Sequence, residues 1–254
     1  MAVIVFAAAQ LLAQGGRAGG PAPQGPPPTA QASAPVDLTG YWVSIVNEDW
    51  RWRMVTPPKG DFPGLPLSQE GARVANAWDP ATDGSCQAYG AAGVMRIPGR
   101  LHVTWENDST LKLETDAGVQ TRRFIFGPAA ATGEPSLQGT SRAEWERAGR
   151  GRGGRGAPGG GAVGPGAGSA GGDLKVVTTN LSGGWIRKNG VPYSNQATLT
   201  EYFDRFAAPN GDEWLVVTSI LNDPRYYTGE VITSTHFRRE SDGSKWDPLP
   251  CRNF

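Results

Sequence analysis

The chain has 254 residues, with 24 Lys plus Arg balanced by 24 Asp plus Glu, and only two histidines and two cysteines. Zero net charge leaves no overall field to draw it onto nucleic acid or anionic lipid, so neither is an expected partner. So few histidines, with no Cys-x-x-Cys and no His-x-x-x-His, point to no metal centre, and no glycine pattern of a P-loop or Rossmann unit points to a cofactor.

Residues 1–13, "MAVIVFAAAQLLA", carry an apolar run too short to span a bilayer but suited to the core of a signal peptide. A cleavage point follows Ala13, and the missing basic leader reads as a truncated signal. The mature chain is therefore expected to be exported, periplasmic or extracellular, with no integral membrane segment. Residues 14–36 are rich in Pro and Gly, and read as a linker with nothing to bury.

From Leu38 onward apolar residues alternate with polar ones in short runs broken by turn residues, the pattern of β-strands. "YWVSIV" (41–46) opens the series. "EDWRWRM" (48–54) follows with two tryptophans alternating with two arginines. The more apolar set is odd-numbered in the first run (Tyr41, Val43, Ile45) and even-numbered in the second (Trp50, Trp52, Met54). One regular strand cannot keep both sets on one face, so a bulge or corner is predicted at Asn47-Glu48-Asp49. A strand beyond it would put Trp50 and Trp52 inside, and Arg51 and Arg53 outside.

One short helix is predicted from a Ser68 cap to a stop before Pro80. Strands follow at 100–106, 110–115 and 119–126, the first two joined by an Asn107-Asp108 turn. "SRAEWER" (141–147) and "LKVVTTNL" (174–181) flank a glycine-rich stretch at 149–172. That stretch has no stacking groups for nucleic acid and reads as a disordered loop insertion, cheap in closure entropy. Strands at 197–206, 213–221 and 230–240 complete the set, with a hairpin turn at Pro209-Asn210-Gly211-Asp212. The reading is all-β: an antiparallel barrel of about eight to ten strands in a domain spanning 37–254. Cys86 and Cys251 most simply form one disulfide in an exported protein; two independent thiols are the other reading.

Several motifs carry a resemblance. Leu38-Thr39-Gly40-Tyr41-Trp42, the Cys86 loop, Gly139 to Glu146, Glu201-Tyr202-Phe203, Asn222 to Tyr227, and Cys251 together resemble a large family of exported, mostly uncharacterised bacterial proteins. That likeness implies no activity. The Gly-x-Trp opening is also similar to lipocalin-type (calycin-type) barrels, which implies a small apolar-ligand cavity. It also implies packing of Trp42 against a basic residue of a late strand, Arg238 or Arg239.

On this reading the protein binds a small, largely apolar molecule in a Trp/Tyr-lined barrel cavity. Arg51, Arg53, Trp105, Tyr202, Trp214 and His236 are the expected ligand residues. An enzyme using the same cavity would rely on His236 with Glu201 for acid/base chemistry, as an isomerase, cyclase or hydrolase. Glu201 lies between Leu199 and Phe203 on one strand face, so the plainer expectation is a nearby arginine partner. A third reading is a non-catalytic envelope protein acting through its surface.

Overall fold

Period-two alternation becomes a closed wall of nine strands in the computed structural model, which describes residues 26–81, 83, 86–128, 133–146 and 174–251. The expected signal peptide, the first part of the expected linker and the glycine-rich stretch lie outside the described residues. In chain order the strands are β1 (Gly40–Ile45), β2 (Arg100–Asn107), β3 (Thr110–Thr115), β4 (Ala117–Gly118), β5 (Gln120–Phe126), β6 (Thr140–Trp145), β7 (Leu174–Thr179), β8 (Gly184–Arg187), β9 (Val191–Tyr193), β10 (Thr198–Ala207), β11 (Glu213–Asn222), β12 (Val231–Glu240) and β13 (Leu249–Pro250). The barrel runs β1-β12-β11-β10-β7-β6-β5-β3-β2 and closes on itself; β8 pairs with β9, and β4 with β13.

The expected all-β barrel is present, but it is mixed rather than wholly antiparallel. Phe124, Ile125 and Phe126 of β5 pair in parallel with Ser141, Arg142 and Ala143 of β6. Every other neighbouring pair in the barrel is antiparallel.

Inward positions alternate as pleating requires. Trp42, Leu101, Val103, Leu111, Leu113, Phe124, Phe203, Leu215, Val217 and Phe237 meet in one buried cluster that fills the middle of the barrel. Trp42 is fully enclosed, gives its indole N–H to Leu38 O at 3.0 Å, and has the Arg239 guanidinium 5.7 Å over its ring. The last part of the supposed linker is seated on this end of the wall. Trp145 Nε1 donates to Ala30 O at 2.9 Å, Gln31 N to Asp108 O, and Val36 packs on the core.

The opposite end carries a cap. It consists of helix α2 (Gln69–Ala77), the short α3 (Ala91–Val94), and the β8–β9 hairpin. Its apolar residues, among them Ala91, Leu181, Ile186, Val191, Tyr193 and Tyr227, form a second cluster with Leu199, Leu221 and Val231 from the barrel strands. Ser68 caps α2 as predicted, accepting from Gly71 N at 3.1 Å, and also donates to Arg225 O. Cys86 and Cys251 are joined, with Cα atoms 5.6 Å apart, which fastens the tail beside the β4–β13 pair.

One expectation is reversed. Residues Trp50–Arg53 are not a strand but a single helical turn, α1, so the described residues hold three short α-helices instead of one. The break itself falls where predicted: Asp49 adopts a left-handed backbone (φ 49°), and Asp49 O accepts from Trp52 N and Arg53 N. The helical turn exposes Trp50 to 65 % and buries Arg53 to 3 %, the opposite of the predicted facing. Arg53 is held by Glu48, by Ser44 Oγ at 3.0 Å and by Arg96 O at 2.9 Å. Three acceptors for one guanidinium outweigh the local alternation. No described helix is long and apolar enough to cross a membrane, which says nothing of strands.

Candidate functional site

The expected site residues do not converge. Glu201 points into the barrel and is fully enclosed, as is its partner Arg122, which meets both carboxylate oxygens. Thr178 Oγ1 accepts from Arg122 at 3.3 Å and exchanges a hydrogen bond with Ser141. Glu201 thus has the arginine partner that its apolar neighbours demanded. His236 lies on the outer face of β12, paired with Ile45 and Val216, and its Nδ1 is 3.0 Å from Glu48 Oε2 and 2.8 Å from Asn47. The barrel wall separates the two, so no acid/base pair forms.

The remaining expected ligand residues are scattered. Trp105 packs with Phe126 and Trp145 at the barrel end covered by residues 29–38. Tyr202 and Trp214 alternate with buried Phe203 and Leu215, and therefore face outward. Arg51 is exposed and pairs with Asp61 at 2.9 Å. Arg53 reaches the cap, as described. With Trp42 and the phenylalanines filling the interior, the middle of the barrel offers these residues no shared space.

Among the described residues, a ligand-sized space lies on the cap instead. A cleft of about 590 Å³ opens between the β8–β9 hairpin and the turn after β11, walled by Trp185, Tyr193, Tyr226, Arg225, Asn195 and Leu137. Two devices hold its walls. Asp223, 2 % exposed, accepts from Ser194 N at 2.6 Å and Ser194 Oγ at 2.8 Å, tying one wall to the other. Asp83 accepts from both indoles beneath it, Trp78 at 2.9 Å and Trp185 at 3.1 Å, and so fixes the tilt of Trp185. Gly184 leaves no room for a side chain, because a Cβ there would stand 2.7 Å from Gln87 O. Burial pushes the Tyr193 and Tyr227 phenols well above their ordinary value, so both stay neutral. The Tyr227 hydroxyl donates to Pro192 O at 2.7 Å.

Beneath the hairpin, between cap and barrel, lie two narrow spaces of about 20 and 30 Å³ that share Arg96, Ile186 and Arg187. Arg96 pairs with Asp49, and the Arg187 guanidinium lies 4.7 Å over the Trp52 ring. Burial lowers the Arg53 pKa to about 10, against the pull of Glu48, and lowers that of Arg187 against Asp49.

Sequence reasoning missed β8, β9 and the cleft, because four-residue and three-residue strands leave little periodicity to read. The usable signals were "SGGW" (182–185), with paired glycines ahead of a tryptophan, and the Asn222-to-Tyr227 turn, which supplies a cleft wall. No group of three or more His, Cys, Asp or Glu that would hold a metal occurs among the described residues. Comparisons with protein-family models, with curated proteins and with solved structures return no match.

Proposed function

We propose that the protein is an exported, lipocalin-like ligand carrier that holds a small, largely apolar molecule, in the cap cleft rather than in the middle of the barrel. One observation carries this: the cleft, at about 590 Å³, lies within the roughly 300–1,000 Å³ typical of small-molecule sites and is bordered by two half-buried aromatic side chains, Trp185 and Tyr226. Trp185 and Tyr226 offer flat contact area, while the exposed Arg225 and Asn195 orient a polar substituent. The Cys86–Cys251 bond supports export, since such bonds persist in oxidising compartments. Arg239 over Trp42 supports the lipocalin-type likeness.

Native mass spectrometry of the purified full chain should reveal a co-purifying molecule, whose identity then serves as the titrant. Trp185→Ala should weaken its binding at least about tenfold, the effect of losing one aromatic contact of about 1.4 kcal/mol. Full affinity in both Trp185→Ala and Tyr226→Ala would overturn the assignment.

A further inference from the structure

The second observation concerns hydrogen-bond donors and is independent of the cleft. Trp52 Nε1, Arg96 Nη1 and Arg187 Nη1 are all buried and have no acceptor. All three residues line the same narrow space of about 20 Å³ beneath β8. Its other basic walls are Arg53 and Lys188, and no acidic residue lines it. Glu48 answers Arg53 and Asp49 answers Arg96, but Arg187 has no carboxylate within ion-pair distance among the described residues. Most buried donors in folded proteins are paired, so three orphans bordering one space call for an explanation. A water molecule needs about 10–15 Å³ and would fit, but it would satisfy donors without neutralising Arg187, which Asp49 and Asp61 offset only from beyond ion-pair distance.

We propose that this slot is an anion subsite that receives a carboxylate. Size decides for a carboxylate group over a tetrahedral anion. Arg187 lies over the indole of Trp52, Ile97 and Ile186 also line the space, and its volume is only about 20 Å³. A planar group with two oxygens can accept from a guanidinium edge and the indole N–H together. Phosphate or sulfate would need more donors and more room. The segment that supplies Trp52 is α1, held under the cap by Arg53 through Glu48, Ser44 and Arg96 O. The helical turn thus brings Trp52, with its unpaired indole N–H, to the wall of the slot.

The test is a thermal-shift and calorimetric titration of the purified full chain at constant ionic strength, with acetate, benzoate, sulfate and phosphate as separate arms. Acetate or benzoate should raise Tm saturably, by about 5–10 °C at about 100 times Kd for a chain of this size. Arg187→Gln should weaken carboxylate binding at least tenfold, and Arg187→Lys should recover only part of it. Trp52→Phe keeps an aromatic ring and removes the N–H, and should weaken binding several-fold; it also serves as the deciding variant if Arg187→Gln fails to fold. No saturable response to any carboxylate, or an unchanged response in Trp52→Phe and the folded Arg187 variants, overturns the proposal. Sulfate or phosphate binding as tightly as acetate overturns the carboxylate assignment.

Discussion

Arg122 and Glu201 form a two-pronged ion pair from which solvent is wholly excluded, each side chain at 0 % exposure inside the barrel. The pair replaces what would otherwise be apolar packing beside Phe124 and Phe203. Removing one partner leaves a buried charge, so Arg122→Met or Glu201→Gln should each cost about 3–5 kcal/mol in urea unfolding. Replacing both, as Arg122→Met with Glu201→Leu, should recover most of that loss. A double variant as unstable as the sum of the singles would show that the pair itself, not its completeness, holds the barrel.

The Cys86–Cys251 bond closes a separation of 165 residues and fastens a tail that pairs with β4 through the two-residue β13 and sets Trp246 against Tyr41 and His102. Cys86→Ala with Cys251→Ala should lower stability by about 2–5 kcal/mol, read from the urea midpoint with and without reductant. An unchanged midpoint would mean that the tail contributes nothing to the cooperative unit.

Gly190 stands at φ +76°, and a Cβ there would come within 2.1 Å of the Trp78 ring. Gly211, at φ +87°, has open space around it. Gly211→Ala should therefore show only the left-handed backbone penalty of about 1–2 kcal/mol. Gly190→Ala should exceed it by at least about 1 kcal/mol, because the Trp78 indole must leave Asp83. Equal Tm shifts for the two variants would contradict the close approach.

The Glu213 carboxyl is held below the usual carboxylate range by the Arg205 hydrogen bond, against slight burial, with Arg239 adding to the effect. A depressed folded pKa stabilises above the unfolded value, about 4.3, and loses that contribution as pH falls through the folded value. This exposed network is worth about 0.2–1 kcal/mol per pair, or about 1–3 °C in Tm. The Tm gap between wild type and Glu213→Gln should be steady at neutral pH and close below about pH 4. A gap that persists at about pH 3 would assign the effect to packing instead.

The long strands were legible because β10, β11 and β12 each carry ten residues of alternation with one buried face. The placement of Glu201 beside an arginine was legible for the same reason, since an acid between Leu199 and Phe203 must be answered. What failed was "WRWR", where period two is also compatible with one turn of helix and only the acceptors around Arg53 decide. The cleft was hidden because its walls, the short β8–β9 hairpin, the turn after β11 and the Leu137 segment, lie far apart in sequence and are tied by Asp223 and Asp83, contacts that no local pattern announces.

Nine is an odd number, and that has a geometric price for a closed ring of strands. Directions that alternate around a circle return in phase only when the count is even, so one neighbouring pair must agree. In this ring β5 and β6 are that pair. The chain leaving Phe126 must therefore travel back along the wall before β6 can begin at Thr140. That return delivers Leu137 to the rim of the cap cleft, and Gln138 to Tyr89 O at 2.8 Å and Gln120 at 2.9 Å. Removing or adding one strand would abolish the return path, and with it one wall of the place where a ligand is expected to sit.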